Sequence, residues 1–311
     1  MGTPEFSVPC LKALVENGMN VVGVFTQPDR PKGRGNKLTP SPVKTFAESA
    51  AIPVFQPEKI RFDGAEDLRN LEPDLCVTAA FGQILSQEIL DIPRFGSINV
   101  HASLLPKHRG AAPIAYAIMD GDRDAGVTTM FMDAGIDTGD MLLQEKTEIG
   151  DTETCGELTH RLSIMGADLL IRTIRELENG TLVRHPQKHE EMTYDPMLDK
   201  SMGITDFSAS CDKVKGMING LNPWPCVSVP LQGERLKLLR AEVCAEEGHA
   251  GTVISADPRN GLIIACGTGA VKILEIQAPG GKKMKAEDYL RGHGIMTGTD
   301  FNEETRWKAD R

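Results

Sequence analysis

The chain has 311 residues, 40% of them hydrophobic and 25% charged, which is a globular composition with length for two cores. No apolar run is long enough to cross a bilayer, the start MGTPEFSVPC lacks the regions of a secretory leader, and seven scattered cysteines without a CxxC pair argue against a disulfide framework or a zinc site. A formal charge of −10, carried wholly by residues 1–204 (20 Lys and Arg against 30 Asp and Glu, with 14 against 14 in residues 205–311), excludes sequence-blind binding of nucleic acid over the whole surface. The expected setting is therefore cytoplasmic, without a membrane, and any polyanion must be held by local basic patches.

Along the first two-thirds, apolar runs alternate with helical patterns. Helices are expected at Pro9–Asn17, Pro42–Ala51 and Ser86–Ile92, with Pro9 and Pro42 in first turns, where the missing N–H costs nothing. Buried parallel strands are expected at Val21–Thr26, Asp74–Ala80 and Ser97–His101, rich in β-branched residues. Gly126–Asp133 and Asp140–Lys146 read as two more strands, and Thr154–Glu178 as a longer helix stopped by Gly180. This alternation implies an α/β fold, an open, doubly wound, mostly parallel sheet whose ligands bind beyond the carboxyl ends of its strands. Residues 184–204 are polar and proline-bearing and read as a linker. After it, a helix over Ser210–Gly220 precedes short strands at Cys226–Leu231, Leu236–Val243, Gly251–Ser255, Leu262–Ala265 and Val271–Ile276, the pattern of a small β-barrel. The domains are thus drawn at 1–183 and 205–311.

Two segments carry candidate chemistry. In INVHASLLP, Asn99 and His101 lie two apart at the end of a strand and so share a face. An amide donor beside an imidazole suits an acyl-transfer intermediate whose carbonyl oxygen becomes negative. Spacing alone favours the plainer reading, a turn-capping Asn99 and a satisfied core His101. In MDAGIDTGDM, three aspartates and two glycines fill a loop between strands. An aspartate there could orient a histidine, form part of an acidic turn, or bind magnesium, and spacing does not choose.

INVHASLLPKHRGAAPI followed at this distance by MDAGIDTGDM resembles the formyltransferase family that uses 10-formyltetrahydrofolate. The resemblance implies that Asn99, His101 and Asp137 are catalytic, that Ser103, Leu104, Leu105 and Pro106 form the loop that binds the formyl-folate co-substrate, and that no metal takes part. VFTQPDRPKGRGNKLTPSPVK at Val24–Lys44, NPWP at Asn222–Pro225 and GKKM at Gly281–Met284 extend it over essentially the whole chain. They are similar to the branch of that family acting on methionyl initiator tRNA, which implies an oligonucleotide-binding (OB-like) C-terminal domain and a monomer. The same resemblance departs at the start, since an apolar strand normally precedes Gly2–Pro4 and is absent here. It also departs at Ala102, where relatives carry glycine. Alternatives are a formyltransferase of the same core acting on an amino sugar or purine precursor, and a non-catalytic RNA-binding relative.

Arg30, Lys32, Arg34, Lys37 and Lys44 against Asp29 give the segment Gln27–Lys44 a charge of +4 inside an acidic domain. Its glycines and prolines suggest a flexible arm that orders on RNA. Lys282 and Lys283 form a second candidate tRNA patch. Trp224, between two prolines, is expected to pack rather than to stack on a base.

Overall fold

The computed structural model describes residues 1–32, 35 and 37–302. They form two compact units: Met1–Gly110 with Gly126–Thr147 and Thr159–Tyr194, and Ala111–Ala125 with Glu148–Leu158 and the chain from Asp195 onward. The division crosses the stretch read as a linker, and that stretch is not open chain. It contains turns of 3-10 helix at His189–Glu191 and Lys200–Gly203, and Gln187 and Asp195 within it are buried. Hydrogen bonding rather than apolar content orders these residues, so a hydrophobic pattern does not reveal them.

In the first unit the strands are β1 (Val24–Phe25), β2 (Arg30–Lys32), β3 (Lys37–Thr39), β4 (Val54–Phe55), β5 (Cys76–Thr78), β6 (Ser97–His101), β7 (Arg109–Gly110), β8 (Asp124–Phe131), β9 (Met141–Glu148) and β10 (Tyr194–Asp195), of which β8, β9 and β10 each have an end in the other unit. β1 pairs parallel with β4 and β5 parallel with β6, while β6 and β8 are antiparallel in the order β5-β6-β8-β9. The sheet is therefore mostly parallel, as expected. β6 is flanked on both sides, and Ile98 and Val100 on one of its faces are 0% and 2% exposed. The long helix Cys155–Glu178 covers that face so closely that a Cβ on Gly166 would lie 2.8 Å from a Val100 methyl. By the alternation of a strand, Asn99 and His101 point to the opposite face.

Met1 and Gly2 lie between β1 and β5. Gly2 donates to the Phe25 carbonyl, Ala79 N–H donates to the Met1 carbonyl, and the Met1 amino group donates to Val77 O at 2.7 Å. Gly2 thereby forms a parallel bridge with Ala79, at the place where the resemblance puts an opening strand. Beside it is a cavity of about 640 Å³ walled by Leu11, Val24, Leu71, Leu75 and Ile174. Two apolar cores flank this region. One gathers Phe25, Ile60, Phe81 and Ile89, and the other Leu11, Val24, Val43 and Ala47.

β2 and β3 pair as an antiparallel hairpin, with Arg30 opposite Thr39 and Lys32 opposite Lys37. The flexible arm expected there is, over these residues, a hydrogen-bonded ladder. Its prolines, Pro31 and Pro40, lie at positions a two-stranded edge tolerates.

The second unit contains β11 (Val227–Leu231), β12 (Glu234–Cys244), β13 (Val253–Asp257), β14 (Gly261–Ala265), β15 (Ala270–Gln277) and β16 (Lys283–Lys285). They form an antiparallel sheet in the order β11-β12-β15-β14-β13, and β16 pairs with the end of β15. Register shifts within β12 between Leu238 and Ala241 mark a bulge, which bends a strand and lets the sheet curl. The curled antiparallel sheet agrees with the expected OB-like domain. Its core holds Phe207, Ile218, Leu238, Ile264, Ile273 and Phe301, every one of them at 0–1% exposure. Helix Cys211–Gly220 packs against it, started by Ser210, whose side chain accepts from the Lys213 N–H.

Candidate active site

Asn99 sits in β6 opposite Thr78 of β5 and Met130 of β8. The Thr78 hydroxyl donates to Asn99 Oδ1 at 2.9 Å. With Oδ1 on that hydroxyl, the other end of the amide is the NH2. The Asn99 Nδ2 donates to no partner among the described residues and is free to meet an acceptor. His101 is 6% exposed, and its Nε2 lies 2.8 Å from the His108 carbonyl. A carbonyl only accepts, so Nε2 carries a proton and Nδ1 is the nitrogen left to exchange one. Asp137 Oδ1 stands 3.7 Å from that Nδ1, and Asp137 Oδ2 accepts from the Gly110 N–H at 2.9 Å. The structure thus brings Asn99, His101 and Asp137 into the same unit, with His101 and Asp137 paired and Asn99 one alternation before His101.

Asp137 belongs to a constrained loop. Its φ is +52°, in the left-handed region that a short acidic side chain tolerates better than most. Gly139 is held so close that a Cβ there would lie 1.9 Å from the Phe131 carbonyl oxygen. Asp133, another of the three aspartates in this loop, is exposed, and its Oδ1 accepts from Gly135 N–H and from the Thr138 hydroxyl. Among the described residues no three His, Cys, Asp or Glu side chains gather as a metal site.

The loop Ser103–Pro106 is anchored from within. Ser103 Oγ donates to the Lys107 carbonyl at 2.7 Å, and its own carbonyl accepts from the Thr128 hydroxyl at 2.6 Å. Leu105 N–H donates to that same Thr128 oxygen, and Gln144 Nε2 donates to both Thr128 Oγ1 and Leu105 O. Ser103 and Leu105 are buried, so Leu104 and Pro106 are the members with side chains partly exposed. Thr128 and Gln144, which hold the loop in place, carry no sequence signal because their partners are distant in the chain.

The basic candidates divide by environment. Arg30 and Lys37 are exposed on the hairpin. The backbone of Lys32 is in the ladder, and Arg34 lies outside the described residues. Lys44 is not available in the same way, since its Nζ is bonded to Asp29 and Gln56 at 2.9 and 2.8 Å. Asp29, bonded first by Lys44 and then by Gln56, is held below the usual carboxylate range. In the second unit Lys282 is exposed, whereas Lys283 is paired with Glu275 at 2.6 Å. Trp224 is 50% exposed and is therefore not the buried packing residue expected from NPWP.

A model of the formyl transferase family matches residues 1–174, and a model of the formyl transferase C-terminal domain matches residues 197–294. The chain belongs to the formyl transferase family. Relatives in that family include a protein named methionyl-tRNA formyltransferase from Acetivibrio thermocellus, 47% identical over 96% of this chain and 97% of its own length. One of the same name from Geotalea daltonii is 50% identical over 98% and 97%. Among solved structures, the N-formyltransferase of Helicobacter canadensis has the same fold with a TM-score of 0.66. It is 18% identical over 88% of this chain and 97% of that one. HypX of Aquifex aeolicus, also 18% identical, matches with a TM-score of 0.57 over 81% of this chain and 47% of its own. No helix among the described residues of this formyl transferase is long and apolar enough to cross a membrane.

Proposed function

We propose that the chain transfers a formyl group from 10-formyltetrahydrofolate to the α-amino group of methionine on initiator tRNA, with Asn99, His101 and Asp137 meeting the reacting atoms. The reading rests above all on the site. A free amide donor and a histidine with one committed nitrogen share a strand face, and a carboxylate stands beside the uncommitted nitrogen. Relatives named methionyl-tRNA formyltransferase, 45–50% identical over nearly their full lengths, support the choice of acceptor. HypX solved with tetrahydrofolic acid, and the sugar formyltransferase WlaRD solved with 5-N-formyl-THF, support a folate carrier.

In this reading the neutral amine attacks the formyl carbon. A typical α-amino pKa of about 7.7–8.0 leaves enough free amine near neutrality. Negative charge develops on the formyl oxygen, where Asn99 Nδ2 donates and a protonated His101 Nδ1 donates beside it. Asp137 stabilises that imidazolium and takes the amine's surplus proton through water. Once the new C–N bond has formed, collapse of the oxyanion breaks the bond to the folate nitrogen, and that nitrogen takes up a proton from His101. Proton transfer between Asp137 and His101 then restores the site. Leu104 and Pro106, the half-buried members of their loop, would contact the carrier. Arg30, Lys32, Arg34, Lys37, Lys282 and Lys283 would contact the tRNA.

The decisive assay incubates the protein with formyl-folate and charged initiator or elongator methionyl-tRNA and measures formyl-methionine, with a nucleotide-linked amino sugar as the competing acceptor. Formylation of initiator methionyl-tRNA is expected, and preference for the sugar would overturn the reading. Asn99→Ala is expected to lower kcat by about 10²–10³-fold, as for loss of one oxyanion donor. Asp137→Asn is expected to disable turnover while leaving tRNA affinity intact. Near-normal kcat in either variant would remove that residue from the mechanism.

A further inference from the structure

Asp137 is gripped by residues with no assigned part in the reaction. Gln187 is 7% exposed, and its Nε2 donates to the carbonyls of Asp137 and Gly139 at 2.9 and 2.8 Å. Its Oε1 in turn accepts two N–H groups of Arg109, from Nε at 3.0 Å and Nη2 at 2.6 Å. Arg109 is 3% exposed, and its Nη1 lies 3.2 Å from His189 Nδ1. The Arg109 backbone N–H donates to Thr193 O at 3.0 Å, and the next residue, Gly110, donates its N–H to Asp137 Oδ2. One short run, Arg109–Gly110, therefore fixes Asp137 twice. It holds the backbone through Gln187 and the carboxylate directly.

The chemistry of this chain of hydrogen bonds is directional. A guanidinium only donates, so it orients the Gln187 amide with Oε1 inward to Arg109 and NH2 outward to the loop. Both protons of that NH2 are spent on carbonyls of a turn in which Asp137 itself has positive φ. With Oδ2 tied to Gly110, the atom left to face His101 Nδ1 is Oδ1. The segment after the helix Cys155–Glu178 thus reaches back to the catalytic face, although its composition reads as linker.

We propose that Gln187, oriented by Arg109, is a positioning residue that sets the Asp137 carboxylate against His101. This rests on the reading that Asp137 and His101 act in formyl transfer. Misplacing a reacting group by about 1 Å can cost on the order of 100-fold, so the loss should fall on kcat and not on binding. Gln187→Glu is the discriminating change. The carboxylate still accepts from Arg109, but it presents an acceptor to the two carbonyls in place of two donors.

The experiment measures kcat and both KM values for the wild type, Gln187→Glu, Asp137→Asn and the double variant, with melting temperature for each. Gln187→Glu is expected to lower kcat about 10–100-fold with KM for tRNA and formyl-folate within about threefold. In the Asp137→Asn background the same change is expected to have little further effect, because groups acting as one unit are non-additive. Arg109→Lys, which keeps the charge but cannot offer the paired donors, is expected to lower kcat in the same direction and serves if Gln187→Glu does not fold. Normal kcat in Gln187→Glu, or in Arg109→Lys where that is the variant tested, overturns the proposal. So does a full further loss in the double variant, or a change confined to KM. If Asp137→Asn itself turns over normally, the catalytic reading falls as well. If Asp137→Asn is inactive and Gln187→Glu is normal, only the positioning role is lost.

Discussion

The Thr78 hydroxyl is a small group that anchors Asn99 Oδ1 and leaves the other end of the amide presented. Thr78 is 3% exposed, so Thr78→Val keeps nearly the same volume in the same place and removes the hydroxyl that meets Asn99 Oδ1, the Ile98 carbonyl and Met132 Sδ. Loss of one uncharged hydrogen bond is worth about 1 kcal/mol, so kcat is expected to fall about fivefold, with both KM values unchanged. Steady-state kinetics test this, and a change in KM alone would assign Thr78 to binding. The shared face of Asn99 and His101 was legible from the alternation of a strand, and their chemical part only from the resemblance of INVHASLLP. Thr78, Gly110, Arg109 and Gln187 were not legible. Their roles depend on partners 21 to 78 residues away along the chain, which leave no local spacing to read.

At the scale of elements, the hairpin β2–β3 concentrates positive charge. Arg30 and Lys37 are exposed on it, where a phosphate backbone would neutralise them. Replacing Arg30 and Lys37 by Ala is expected to weaken tRNA binding and to make its log–log salt dependence shallower by about 0.7–0.9 for each phosphate that is no longer neutralised. Titrations at several salt concentrations test this, with formyl-folate affinity as the control, and an unchanged slope would leave the hairpin as ordinary surface. A different pair joins the start of helix Cys155–Glu178 to β12. Arg240, 17% exposed, bonds to Glu157, 50% exposed, and also to the Thr152 carbonyl at 2.9 Å. Arg240 first, with help from Thr154 and against the effect of burial, lowers the Glu157 pKa from the ordinary 4.5 to about 2. A depressed carboxylate adds stability above its unfolded pKa, and that stability disappears as pH falls through the folded value. The margin in melting temperature of the wild type over Glu157→Gln should therefore be full above pH 4.5 and vanish near pH 2. Exposure limits it to about 1 kcal/mol. A margin independent of pH would show that the charge is not its source.

At the scale of the whole molecule, the sequence was most legible where hydrophobic periodicity carries the fold. All five strands expected after Cys226 are found, and helix Cys211–Gly220 begins one residue after its Ser210 cap. The helix expected at Thr154–Glu178 is observed at Cys155–Glu178. What escaped was polar or very short. The turns of 3-10 helix, the strand Lys283–Lys285 and the hairpin ladder are built from hydrogen bonds among residues that look like loop. One feature of the first unit bears on its motion. β1 and β4 form a parallel pair of two residues each, whereas β6 lies inside the four-stranded sheet β5-β6-β8-β9. A short pair and a broader sheet open separately, each with its own free energy. Native-state amide exchange should then be ordered in two tiers. Val24 and Thr26, which bond outward to Pro53 O and Phe55 O, should lose protection through a partial opening. The amides of Ile98–His101 should exchange only on global unfolding, so the half of the sheet that carries Asn99 and His101 keeps its shape while its neighbour breathes.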